Sequence, residues 1–543
     1  MSDFRISLPR RSFVTASAMI AGGVAMAPLL ASCGGGSAAS GPPALRRGTS
    51  DEPRTLDPHF VPGNAGAALM YDMFEGLMSV DAAGKLVPGL AKAFTVSDDQ
   101  LTYTFQLRDN LRWSDGAPLT AEDFVYSFRR CCDPKVPTLG GRILSSLKNF
   151  RAIARSQAPV ESLGVSAPDP KTVVIEVEKP TSYLPDALAA FASTAVPRHA
   201  IEAHGQRWTT PENIVVSGAY TLAEWVPNTS IQLKKNPNHH DAANTAIEEV
   251  IFYPVEKPAT AVTRFRGGEL DVVFGVPADQ LATLRASDQA KAIHSSEAVG
   301  VFYVLLNNAK GPTKDPRVRR ALSLAVDRDL IANQLLKDEG VPAYTLVPTA
   351  MPDYTAPVMP MASQAMEARL AEARTLLTEA GYSEAKPLAI TYKFGGQESN
   401  RRIAVALQSM WEKIGAKIIL ENVGAPGVVA DGRSGNFEAM RYQYYAPFQD
   451  PVGFLALLQT GATENLSRHS DPAYDAALTA ADRIRNPAER SQALQTVEQN
   501  IMAQNPVIPV YFNLRNYLVS PRVEGWVDNV RGQYLSRHLA LKA

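Results

Sequence analysis

A chain of 543 residues, 45% hydrophobic and 20% charged, is long enough for two to four separately cored domains of ordinary soluble composition. Its formal net charge of −1 excludes a global attraction to nucleic acid or to an acidic membrane surface. Three cysteines, with no CxxC pair and no histidine at zinc-ligand spacing, exclude a disulfide scaffold and argue against a metal or redox centre.

The N-terminal run Pro9-Arg10-Arg11-Ser12-Phe13-Val14 sets paired arginines ahead of a weakly hydrophobic, Ala- and Gly-rich segment, Val14 to Ala31. That pattern is expected of a Tat-type signal peptide over 1–32. About 18 residues could also span a bilayer, but the low hydrophobicity and small-residue end favour cleavage over an anchor. Leu30-Ala31-Ser32-Cys33 has the form of a lipoprotein cleavage box, so Cys33 is expected to be lipidated, with 33–48 a flexible Gly/Ser/Ala tether. Plain cleavage and release is the alternative. Loss of 1–32 removes three Arg and one Asp and leaves a net charge of −3. Cys131 and Cys132 are adjacent; a vicinal disulfide is strained, so both are expected to be structural thiols.

Further along, Leu101–Leu107 alternates apolar and polar residues and predicts a strand. Trp113-Ser114-Asp115-Gly116 is a turn, and Thr120 with Asp123 forms a capping box for a helix through Arg130. Thr172–Glu178 alternates again, Ile214–Asn236 predicts strand, turn, strand, and Val250–Val255 a further strand. Gly267-Gly268-Glu269-Leu270-Asp271 reads as a helix end turning into a strand. From Asp315 the pattern becomes helical: Asp315 caps, Pro316 sits at N1, and Val318, Leu322, Ala325 and Val326 share a face. Helices over 364–380 (stopped by Gly381) and 400–414 alternate with strands at 388–394, 417–420 and 440–445, the succession of an α/β domain. The first half, with its hairpins, has α+β elements. Proline-containing turns near 256–258 and 505–509 are expected domain crossings.

The most distinctive stretch is Phe437–Phe454, which gathers Phe437, Tyr442, Tyr444, Tyr445, Phe448 and Phe454 with Arg441 and Asp450. A strand through Tyr445 running into Ala446-Pro447 suits a ligand wall: aromatic faces supply contact area, and a free strand edge offers backbone donors and acceptors. The bland alternative is a core strand and an ordinary loop. Catalytic signatures are absent: there is no HExxH, GxSxG, GxGxxG or phosphate loop. His239-His240, in a loop, is a weak metal candidate. No enzyme activity, cofactor or metal is expected.

Thr55-Leu56-Asp57-Pro58-His59, Trp113–Gly116 with Thr120–Phe128, Asn213–Tyr220 with Trp225, Gly268–Asp271, Asp315–Arg319 through Arg328, and Pro506–Tyr511 together resemble the extracytoplasmic peptide-binding proteins of ABC importers, of the large oligopeptide-binding type. The resemblance implies a two-lobed fold of α/β class with two chain crossings and an extra domain on the first lobe. It implies residues 49–298 and 506–543 in that lobe and 299–505 in the second. It also implies an extended peptide between closing lobes, delivered to membrane permease and ATPase subunits by a monomer whose only membrane attachment is its lipid.

Carried over residue by residue, Arg441 falls where relatives place an arginine able to pair with a peptide carboxylate, a geometry that suits a guanidinium. Gln443, Tyr444 and Tyr445, flanked by Tyr442 and Phe448, fall on the strand beside the ligand backbone, and Gly63 and Asn64 on the segment facing it. The departure is Pro447, where relatives carry the aspartate that binds the peptide's amino group; Asp450 is the remaining acid of that run. A buried ammonium without a counter-charge is costly. A modified peptide, or a non-peptide solute such as an oligosaccharide, is therefore a second expectation. A sensor or chaperone lipoprotein is a third, and a secreted hydrolase a distant fourth. Gly300 and Tyr445 stand where some relatives have a cysteine pair.

Overall fold

Two long strands, Ile293–Leu306 and Val507–Val519, carry the chain between the two halves of the molecule and pair antiparallel with each other. The computed structural model describes residues 43–61, 66–138 and 140–542. The export signal, Cys33, Gly63 and Asn64 lie outside them. The ladder between the crossing strands is irregular between Glu297 and Val301. On one side of that break Ile293–Glu297 face Leu514–Leu518; on the other Val301–Leu305 face Val507–Phe512. The cores change at the same place: Val299 to Leu306 and Val507 to Phe512 pack in the largest core, while Tyr517, Leu518 and Val519 pack in cores of the first half. Residues 507–512, expected in the first lobe, thus contribute to the core of the second. The crossings are mid-strand, and the ladder resumes on both sides of the irregularity, so most of the backbone is paired through the junction. Residues 256–258 are no crossing; they lead into the helix Pro258–Arg266.

These strands are the centre of an eleven-stranded sheet. Beyond Ile293–Leu306 lie Ala439–Tyr445, Ala389–Phe394 and Lys417–Asn422; beyond Val507–Val519 lie Val272–Phe274, Leu45–Thr49, Glu249–Pro254, Ser230–Lys235 and Tyr220–Val226. The eleventh strand, Gly340–Pro342, pairs with Val507–Val519 off this row. Leu45–Thr49 corrects the expected end of the tether: these residues are a strand paired parallel with Glu249–Pro254, with Leu45 fully buried. Residues 214–219, expected as strand, are held as a loop. Val216 exchanges hydrogen bonds with Ser114, and Gly218 donates to the Met73 carbonyl at 2.8 Å. A Cβ on Gly218 would lie 2.5 Å from the Met73 carbonyl carbon, so only glycine allows that approach.

In the second half, helices Pro316–Ala325, Met366–Glu379 and Glu398–Glu412 match the sequence reading within two or three residues, and Asp315 caps the first by accepting from the Arg317 amide at 2.9 Å. Arg328 is fully buried, and among the described residues no carboxylate is ion-paired with it. Its Nε donates to the carbonyls of Ala343 (2.9 Å) and Pro509 (2.8 Å), and Nη1 to Ser323 (3.1 Å) and Val326 (3.3 Å). It ties the helix end to a crossing strand.

The first half carries a separate four-stranded sheet, Ala91–Val96, Thr102–Leu107, Thr172–Glu176 and Val165–Asp169, covered by the helix Ala121–Cys132. The Thr120–Asp123 capping box forms there. Cys131 and Cys132 are unbridged and buried in this core, and burial pushes the Cys132 thiol up to about 12, which leaves it unreactive. Among the described residues no helix is long and apolar enough to cross a membrane.

Candidate functional site

The strand Ala439–Tyr445 pairs with Ile293–Leu306 over its whole length, from Ala439 opposite Leu306 to Tyr445 opposite Gly300. On its other side Ala389–Phe394 reaches only Ala439 and Met440. The parallel ladder on that side therefore ends at Met440, just before Arg441, at a strand edge of the kind that an extended ligand can extend. Alternation puts Tyr442 and Tyr444 on one face, against Tyr303 and Phe454 with ring centroids 5.6 Å apart in each case. Arg441, Gln443 and Tyr445 share the other face.

On that face Arg441 Nη2 donates to Gln443 Oε1 at 2.6 Å, and Gln443 Nε2 donates to the Tyr445 hydroxyl oxygen at 3.0 Å. The Arg441 guanidinium lies 5.5 Å from the Phe302 ring centre. Its Nε is buried without a hydrogen-bond partner, and among the described residues no carboxylate is ion-paired with it. The Tyr445 ring lies across Gly300: a Cβ there would fall 2.5 Å from Cε1. Gly300 and Tyr445 thus face each other in the register, with a ring and a missing side chain filling the space.

The loop after the strand binds the two halves together. Ala446 N continues the ladder to Val299 O, and Pro447 is exposed. Phe448 stacks flat on Tyr183, 4.0 Å between centroids and 7° between planes. Gln449 N donates to Asp186 Oδ1 at 2.9 Å, and Asp186 is ion-paired with Arg531. Asp450, a ligand candidate only if the loop is repositioned and otherwise expected to be structural, is committed within the protein. Both its oxygens accept from Arg490 (2.8 and 3.0 Å), and Oδ1 caps the Val452 amide. Burial still holds its carboxyl above the usual range despite the pull of Arg490. Arg490 also holds Asp482, which accepts from Ser182 at 3.1 Å. Tyr183, Asp186, Arg490 and Arg531 are distant in sequence from the aromatic stretch, and no local pattern could have joined them to it.

The remaining motifs are structural. Asp57 and His59 clasp Arg130: the guanidinium is ion-paired with Asp57 and donates to His59 Nδ1 at 2.8 Å, while His59 Nε2 donates to the Thr194 carbonyl at 3.0 Å. His239 and His240 converge on Glu75, their Nε2 atoms 3.0 and 2.8 Å from its Oε2. Arg537 donates to the other Glu75 oxygen at 2.6 Å. A guanidinium already supplies the positive charge that a metal would bring, and it holds the Glu75 carboxyl well below its usual range against burial.

The sequence profile of the bacterial extracellular solute-binding proteins, family 5 (middle region), matches residues 85–465. The chain is 33% identical to the periplasmic murein peptide-binding protein MppA of Escherichia coli, over 89% of this chain and 90% of that one. It is 35% identical to the probable deoxycholate-binding periplasmic protein YgiS of the same organism, over 92% and 94%. The unliganded open form of MppA superposes with a TM-score of 0.82 at 33% identity, covering 92% of this chain and 97% of that structure. Haemophilus influenzae OppA in complex with the peptide RPPGFSPFR gives 0.76 at 28% identity, covering 92% and 98%. Two lobes joined by mid-strand crossings, an outer ladder that stops short of Arg441 in the second lobe, and these matches have one explanation: the chain belongs to the bacterial extracellular solute-binding proteins of family 5.

Proposed function

We propose that this protein is the exported receptor of an ABC importer, which takes an extended peptide or peptide-like solute between its lobes and delivers it to a membrane permease and ATPase. The observation that carries this reading is that the outer ladder of Ala439–Tyr445 stops at Met440, immediately before Arg441, with which no carboxylate is ion-paired among the described residues. Backbone hydrogen bonds along the edge supply affinity with little dependence on side-chain identity, and the guanidinium fixes a carboxylate through two parallel bonds. By the family resemblance Gly63 and Asn64 contact the ligand, and the lobes close by bending where the crossing strands are irregular. The twin-arginine segment exports the chain, and a lipid on Cys33 holds the monomer at the membrane. It acts as a receptor, without catalysis.

The test is native mass spectrometry of the mature protein from an exporting host, followed by titration with a released peptide and its amide. Bound peptides, with the amide at least tenfold weaker and Arg441→Ala removing that difference, support the reading. Equal affinity for acid and amide in the wild type would remove Arg441 from carboxylate recognition.

A second reading, a solute without a free amino group, is favoured by Pro447 and by the commitment of Asp450 to Arg490. The relative YgiS carries a name describing deoxycholate as its ligand. In Pro447→Asp, peptides with free amines should gain over acetylated ones; an unchanged ratio refutes a role for this position.

A further inference from the structure

The face that carries Arg441, Gln443 and Tyr445 continues onto the second crossing strand, where Asn513 and then Arg515 follow Tyr511 by alternation. Asn513 adjoins the place where Tyr445 covers Gly300, and its Oδ1 is buried with no hydrogen-bond partner. Arg515 lies next along the face. Its stem runs over Gly532, where a Cβ would come within 2.9 Å of Cδ, and its Nη1 donates to the Val530 carbonyl at 2.9 Å. Gly532 has a φ of +63°, a conformation that favours glycine, so the loop leaves a seat for this side chain. A carbonyl orients a guanidinium without neutralising it.

The acids around this end of the edge are engaged elsewhere. Asp186 is paired with Arg531, Asp450 and Asp482 share Arg490, and Asp528 accepts from His294 and Trp526. Among the described residues no carboxylate is ion-paired with Arg515. The Tyr445 hydroxyl feels both cations: burial raises its pKa, and Arg515 and Arg441 each pull it back. The edge therefore runs between two positive groups. Arg441 and Tyr445 are four extended residues apart, roughly 13 Å.

Resting on the peptide-receptor reading, we infer that Arg515 is a specificity-determining residue and that the preferred ligand is a short dianionic peptide, with its terminal carboxylate at Arg441 and a second carboxylate near Arg515. The second acid has two chemical sources, an acidic first residue or a dicarboxylic acyl group on the amino end, and both present the same carboxylate to the guanidinium. A free ammonium at this end meets positive charge.

The test is calorimetric titration of the mature protein, stripped of ligand by unfolding and refolding, with four probes: Ala-Ala-Ala, acetyl-Ala-Ala-Ala, Glu-Ala-Ala and succinyl-Ala-Ala. Succinyl-Ala-Ala, Glu-Ala-Ala or both should bind at least tenfold more tightly than Ala-Ala-Ala, and which of them leads identifies the source of the acid. In Arg515→Gln that advantage should vanish while acetyl-Ala-Ala-Ala changes by less than twofold. Arg515→Lys, which keeps the charge, should retain part of it, and its retention separates recognition from a folding defect. Ala-Ala-Ala binding as tightly as both acidic probes, or an advantage unchanged in Arg515→Gln, overturns the inference and leaves the peptide-receptor reading standing. Failure of all four to bind, with no peptide recovered from the native protein, overturns that reading too.

Discussion

His59 is completely buried, and burial pushes its pKa from 6.5 down to about 4; Asp57 pulls it up and Arg130 pushes it further down. Its hydrogen bonds define one neutral form, with the proton on Nε2 facing the Thr194 carbonyl and the Nδ1 lone pair facing Arg130. A second proton on Nδ1 would point at the guanidinium. Between pH 6.5 and 4 the unfolded chain binds a proton here that the folded chain refuses, so stability rises with pH across this window and is lost as pH falls through it. A difference of about 2.5 pH units corresponds to about 3 kcal/mol. Urea unfolding of wild type and His59→Asn at half-unit steps from pH 7 to pH 4 isolates the contribution, because other groups titrate alike in both. The wild type should lose about 3 kcal/mol more than the variant over that range. Parallel profiles, within about 1 kcal/mol, would refute the assignment of a neutral histidine in the clasp. The consequence is functional as well: His59 lies just before the segment proposed to meet the ligand, so acidity should weaken binding before the protein unfolds.

Gly300→Ala would drive a methyl into the Tyr445 ring and break the Gln443–Tyr445 bond. A cost of about 1–3 kcal/mol in urea and at least a tenfold loss of ligand affinity are expected; unchanged affinity would place Tyr445 outside the site. Arg328→Met strips donors from the carbonyls of Ala343, Pro509, Ser323 and Val326. Relief of the buried charge, whose pKa is pushed down to about 9, offsets part of the loss, so about 2–4 kcal/mol should remain, measurable by urea unfolding. Arg328→Lys should do no better, since an ammonium cannot span the same acceptors; full stability in either variant contradicts the tie. Tyr183→Ala or Phe448→Ala removes the flat stack between the halves, worth about 1–3 kcal/mol with its buried area. Faster ligand release in stopped flow and a larger radius of gyration by X-ray scattering are expected; equal release rates would assign the stack to packing alone.

Much of the fold was legible because it is written in short-range patterns. The amphipathic helices, the Thr120–Asp123 box, the Asp315–Pro316 start and the alternating strands depend on neighbours within a turn or a pleat. The same holds for the aromatic strand up to Tyr445. Boundaries set by contacts from afar were misplaced: Leu45–Thr49 looks like tether because its sheet partners lie some two hundred residues on, and 214–219 looks like strand although Ser114 and Met73 hold it as a loop.

The sequence by itself determined the class of the fold, the family, and a candidate wall carrying Arg441, Gln443 and Tyr445, since local periodicity and ordered motifs suffice for these. Only the tertiary structure decided which charges remain available. Asp450 is taken by Arg490, forty residues away; Glu75 gathers both histidines; and Arg515 reaches the face of Tyr445 from the other crossing strand. Ion pairing is settled by distances of a few ångströms between groups far apart in the chain. The net charge that a ligand meets is therefore a property of the folded arrangement, which no reading of neighbours along the chain supplies.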